Sequence, residues 1–123
     1  MHVRELELPD GLERVGEGWL CESAVERVVV PRSVRVFEDC AFQRSRVREV
    51  VVYRDSQLKT IGRGCFQGSD IRNFYPPGSL RCVCDGAFYQ CAKLELFYFW
   101  NADSLEWIGE DAFRDSGLHS FES

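Results

Sequence analysis

One interval in this chain is held constant five times. Leu12, Val34, Leu58, Leu80 and Leu105 are each followed, eight residues later, by a large apolar residue: Leu20, Phe42, Phe66, Phe88 and Phe113. The surrounding phrases recur with it, as "FEDCAFQRSRV" from Phe37, "IGRGCFQGSDI" from Ile61 and "IGEDAFRDSGL" from Ile108 show. Ahead of each interval stands an apolar triplet: Val3/Leu6/Leu8, Val25/Val28/Val30, Val47/Val50/Val52, Ile71/Phe74/Pro76 and Leu94/Phe97/Phe99. Leu118/Phe121/Ser123 begins an unfinished sixth. The triplets start 22, 22, 24, 23 and 24 residues apart. A period in this range is the mark of a solenoid, whose units cannot bury their apolar stripe alone and stack to share one core.

The small variation in period is confined to loops. Leu8 to Leu12, Val30 to Val34 and Pro76 to Leu80 are four residues each, whereas Val52 to Leu58 and Phe99 to Leu105 are six. One further residue enters between Phe88 and Leu94. Runs such as Val28–Val30 and Val50–Val52 favour strands, and a unit this short has no room for the paired helices of ankyrin or tetratricopeptide repeats. A small residue precedes the aromatic in four units (Ala41, Cys65, Ala87, Ala112), and Ser23, Ser45, Ser69, Cys91 or Ser116 follows it by three. The whole of 1–123 reads as one solenoid, with turns starting near 3, 25, 47, 71 and 94 and a partial one at 118. Neither end carries a polar cap, which leaves room for a longer array.

The stretches "VVVPRSVRVFEDCAFQRS" and "ELPDGLERVGEGWLCES" resemble the BspA-like leucine-rich repeat, of approximate form LxxVxIPxSVxxIGxxAFxxC. The resemblance covers essentially the whole chain. It implies a right-handed, β-rich α/β solenoid of about five turns. LxxVxI would form a parallel strand ladder on the concave face, and AFxxC a short helical or irregular convex segment. It also implies a binding module, an adhesin or interaction surface; the alternative is the recognition arm of a larger multidomain enzyme or regulator.

The search for chemistry returns little. His2 and His119 are the histidines, at the two extremes of the chain, and neither belongs to a plausible triad. Glu5, Glu7 and Glu49 could share a face as glycosidase carboxylates do. They fit better as structure, because Glu5/Arg27/Glu49 and Arg4/Glu26/Arg48 occupy single repeat slots with alternating sign, as a stabilised parallel register would. Cys82, Cys84 and Cys91 lie close in sequence, but no histidine is near and CxC is not the spacing of a structural zinc site. The cysteines stand instead in slots for small residues. No catalytic residue, metal or cofactor is therefore expected.

With a net charge of -5 the chain is no general nucleic-acid binder. Its longest apolar run, Leu96–Trp100, is too short to span a bilayer. The N-terminus has no apolar signal-peptide core, which favours the cytoplasm and leaves the cell surface open if the chain is part of a longer protein.

Recognition must then use slots the core does not dictate. Two sets alternate outward from the first strand: Glu5, Arg27, Glu49, Asn73, Leu96 and Glu7, Val29, Val51, Tyr75, Tyr98. The first turns present charges, while the later ones present Val51, Tyr53, Tyr75, Leu96, Tyr98 and Trp100. Exposed aromatic clusters mark contact surfaces. These six residues are the candidate site for a protein partner. A glycan, or a second copy meeting the strip or the repeat ends, would use the same features. The competing reading has the rings lying flat on neighbouring strands.

Overall fold

The structure, a computed structural model, describes residues 4–99 and 102–118. In chain order its strands are β1 (Glu5–Glu7), β2 (Arg14–Val15), β3 (Arg27–Val30), β4 (Val36–Phe37), β5 (Glu49–Val52), β6 (Thr60–Ile61), β7 (Asn73–Phe74), β8 (Cys82–Val83), β9 (Leu96–Phe97) and β10 (Trp107–Ile108). Odd strands form one parallel sheet in the order β1-β3-β5-β7-β9, and even strands form another, β10-β8-β6-β4-β2. Five coils thus stack with one strand of each sheet per coil. No α-helix is found among the described residues. Val3, Phe121 and Ser123, assigned to triplets by the repeat pattern, lie outside the described residues.

Registers match the repeat frame slot for slot. Glu5 pairs with Arg27, Arg27 with Glu49, Glu49 with Asn73 and Asn73 with Leu96. The β3–β5 pairing runs from Arg27↔Glu49 to Val30↔Val52, whereas β5–β7 keeps the Glu49↔Asn73 pair. Pro76 occupies the slot held by Val30 and Val52 and has no N–H to continue the ladder.

The second sheet is more order than the sequence pattern led us to expect. Its apolar column, Val15, Phe37, Ile61 and Val83, is fully buried, and Ile108 in the last described coil is 43% exposed. Each strand is two residues long, too short for a visible alternation.

The segment around each conserved aromatic is irregular in form but regular in bonding. Trp19, Cys21 and Ser23 donate their N–H groups to carbonyls three residues back, at Gly16, Gly18 and Leu20, while Gly18, Leu20 and Glu22 donate to Asp39, Ala41 and Gln43 of the next coil. The alternation repeats at Cys40/Phe42/Arg44, Gly64/Phe66/Gly68 and Gly86/Phe88/Gln90. Such a zigzag needs two left-handed residues per coil, and positive φ occurs at Gly18/Glu22, Cys40/Arg44, Gly64/Gly68, Gly86/Gln90 and Asp111/Asp115. Backbone groups that would have closed a helix are thereby satisfied between coils.

The constant interval of eight is a column of rings. Phe42, Phe66 and Phe88 are fully buried, with Leu20 and Phe113 partly covered at the ends. Phe66–Phe88 and Phe88–Phe113 stack with centroids 5.1 and 5.2 Å apart. Ala41, Cys65 and Ala87 are buried beside them because only a small side chain fits between coils. The serine slot serves the next strand: Ser23, Ser45, Ser69 and Ser116 accept through Oγ from the N–H two residues on. Cys91, in the same slot, donates its thiol to the Phe66 carbonyl at 2.9 Å.

Candidate partner-binding surface

The outward face of the odd-numbered sheet divides into two halves. In coils one to three it is an ionic ladder, because parallel pairing sets slot against slot and the slots alternate in sign. Arg27 donates from Nη1 to Glu5 and from Nε to Glu49. Its guanidinium is held above its ordinary pKa, first by the hydrogen bond to Glu49. In the column behind, Glu26 lies 3.6 Å from Arg4 and 3.7 Å from Arg48. The glutamates read as register devices are therefore occupied by arginines.

From coil three onward the face turns apolar. Val51 and Leu96 are half-buried on it. Tyr75 and Tyr98, in adjacent coils, meet with ring centroids 5.9 Å apart and planes tilted by 58°. Tyr98 is half-buried, but Tyr75 keeps 55% of its surface exposed. The rings support one another without being folded flat into the sheet.

Tyr53 is set apart from this pair. It follows β5 into the loop edge, where the Arg32 guanidinium sits 4.5 Å over its ring and also binds Asp55 at 2.6 Å. Its aromatic face thus has an internal cation–π partner. Trp100, like His2 and His119, lies outside the described residues.

Two exposed indoles escaped the sequence reading. Trp19 (51% exposed) stands in the slot that holds buried Ala41, Cys65 and Ala87, and its bulk keeps it outside. Trp107 (57% exposed) lies on the outer side of the even-numbered sheet, paired with Cys82. The break in the small-residue slot was a readable signal for Trp19. Trp107 required knowledge of the second sheet.

The cysteines follow their slots. Cys65 and Cys91 are buried, Cys40, Cys82 and Cys84 half-buried and Cys21 exposed. Burial raises the Cys65 thiol well above its ordinary value, and pushes that of Cys91 up to about 12.

Stacked coils carrying one strand each in two parallel sheets, with a phenylalanine column between them, define a β-rich repeat solenoid of the leucine-rich class. The BspA type leucine-rich repeat region matches residues 2–120 in six copies, and the chain belongs to that family. Among solved structures it is similar to the pneumococcal vaccine antigen PcpA, with a TM-score of 0.76 and 15% identity over 94% of this chain. It is also similar to a leucine-rich cell surface protein of Faecalibacterium prausnitzii, with a TM-score of 0.58 and 18% identity over 96% of this chain. At these identities the likeness is one of fold. The chain spans 38% and 41% of the lengths of those two proteins. No match was found among curated proteins.

Proposed function

We propose that this chain is a non-catalytic binding module that holds a protein partner on the apolar half of its odd-numbered sheet, centred on Tyr75 and Tyr98. The observation that carries the reading is the contrast along one face. Equivalent slots hold Glu7 and Val29 in coils one and two and tyrosines in coils four and five, so the fold itself does not demand rings there. Tyr75 nonetheless stays largely in water. Amphipathic rings bury large areas at small rotamer cost, which suits them to anchor an interface. Trp19, and Trp107 beside the exposed Ile108, lie outside the odd-numbered sheet, and scattered apolar residues on a surface are ordinary.

A second reading, in which the module is the recognition arm of a larger protein, is favoured by coverage: each similar solved chain is more than twice as long. Both readings place contact on the same face. Affinity capture with the wild type, a Tyr75→Ala/Tyr98→Ala variant and a Glu7→Ala/Glu49→Ala variant tests the assignment. Partners should be lost with the tyrosines and kept without the glutamates. Equal capture by all three, with the fold intact, refutes it and turns attention to the loops around Arg32, Arg44 and Arg63.

A further inference from the structure

The last described coil ends in an edge with open valences. In the even-numbered sheet each coil accepts from the next through backbone carbonyls: Phe37 from Gly62, Ile61 from Cys84 and Val83 from Gly109. The zigzag bonds the other way, as Gly86 donates to Glu110 and Gln90 to Arg114. In coil five the groups filling these slots are the Ile108 carbonyl and the N–H groups of Asp111 and Asp115, and none has a partner among the described residues. Ile108 is 43% exposed there, whereas Phe37, Ile61 and Val83 are fully buried. What satisfies such an edge is a strand N–H followed by carbonyls in zigzag order, as Gly109, Glu110 and Arg114 supply them to coil four. Another coil of the same repeat offers that order.

The chain's own first coil has this form, but its charges are wrong for it. Stacked in register on coil five, it would set Glu13 against Glu106 and Glu22 against Asp115, because each pair shares one repeat slot. Within the stack the first slot holds Arg35, Lys59 and Arg81, and the second holds Arg44, Gly68 and Gln90. Acid stands in these two slots at the first and last coils alone. Covalent linkage holds the successive cations of the first slot together, whereas two separate copies, each of net charge -5, have nothing to offset repulsion across a new contact. A head-to-tail contact of this kind would not close and would run on into a filament, and charged edges are a common guard against it.

We propose that this edge docks a leucine-rich-repeat coil of another polypeptide, with basic residues opposite Glu106 and Asp115, and rejects the first coil of its own copies. The edge uses neither Tyr75 nor Tyr98, so it stands or falls apart from the partner surface above.

A basic-edged coil can be made from the chain itself. Glu13→Arg/Glu22→Arg gives coil one the charges that coil two already carries as Arg35 and Arg44. In sedimentation velocity at matched concentration, wild type should be a monomer, while the variant should oligomerise and also bind wild type. Salt of about 1 M, where the Debye length is roughly 3 Å, should weaken both associations. Adding Ile108→Asn to the variant should abolish its self-association and leave its binding to wild type, whose edge is intact. The reciprocal Glu106→Arg/Asp115→Arg, which offers a basic edge to the acidic first coil, should oligomerise as well. Thermal melts confirm that each variant is folded. A folded variant of either kind that stays monomeric, oligomers indifferent to Ile108→Asn, or wild type that itself assembles through Ile108 overturns the assignment.

Discussion

Phe42 and Phe66 stack with their centroids 4.8 Å apart and their planes 3° from parallel. They are 24 residues apart in sequence, and the offset of one coil is what brings them face to face. Phe37 adds an edge to each, at 5.5 and 6.1 Å. The repeat is thus held by aromatic contacts within and between coils, each such pair adding about 0.5–1.5 kcal/mol beyond the area it buries.

Position along the column should then set the cost of losing a ring. Phe66 touches rings on both sides, whereas Phe113 is partly covered at the end of the described stack. Phe66→Ala should lose about 3–5 kcal/mol in chemical denaturation and Phe113→Ala clearly less. Equal losses would count against a stacked column.

Close approach of the coils makes one glycine indispensable and another dispensable. A Cβ on Gly62 would stand 2.7 Å from the backbone of Glu38 and Asp39, while one on Gly16 would meet nothing within 4 Å. Gly62→Ala should destabilise by roughly 1–3 kcal/mol and Gly16→Ala should be tolerated. Thermal unfolding of the two variants separates them, and indifference at Gly62 would mean the coils are further apart than described.

Cys40 occupies the left-handed slot held by Gly18, Gly64 and Gly86, at a φ of 58°. Relief of that strain should outweigh the added freedom of the unfolded chain, so Cys40→Gly should gain about 0.5–1 kcal/mol. A lower midpoint in denaturant would show that the Cys40 side chain contributes more than its backbone costs.

Thiol chemistry should follow burial. With reductant absent, titration of the unfolded protein should find all six cysteines as thiols. In the native protein Cys21 should react first and Cys65 and Cys91 last. Because the folded pKa of Cys91 is raised to about 12 from 9.0, its stabilising contribution is complete below 9 and is lost as pH climbs towards 12. Stability measured across that range should fall less steeply in Cys91→Ser. Fewer than six thiols, or stoichiometric zinc, would contradict the reading of these cysteines as small core residues.

The odd-numbered sheet, the ring column and the ionic ladder were legible in the sequence because each rests on one slot repeated at a fixed interval. What escaped had no such repetition or no visible length. The even-numbered strands, such as Thr60–Ile61, are two residues long, and the left-handed zigzag leaves little trace where Cys40 or Arg44 replaces glycine. At the candidate surface the contrast between Glu7 and Tyr98 could be read in advance. The capture of Tyr53 by Arg32 could not, since it depends on a loop conformation rather than on a slot.

Affinity for the partner recovered in capture is the most direct measure of the proposed surface. By titration calorimetry, Tyr75→Ala/Tyr98→Ala should weaken binding by about 2 kcal/mol or more, while Glu7→Ala/Glu49→Ala leaves the dissociation constant within about threefold of wild type. An unchanged constant in the folded tyrosine variant, or a larger loss in the glutamate variant, would place the contact elsewhere on the solenoid.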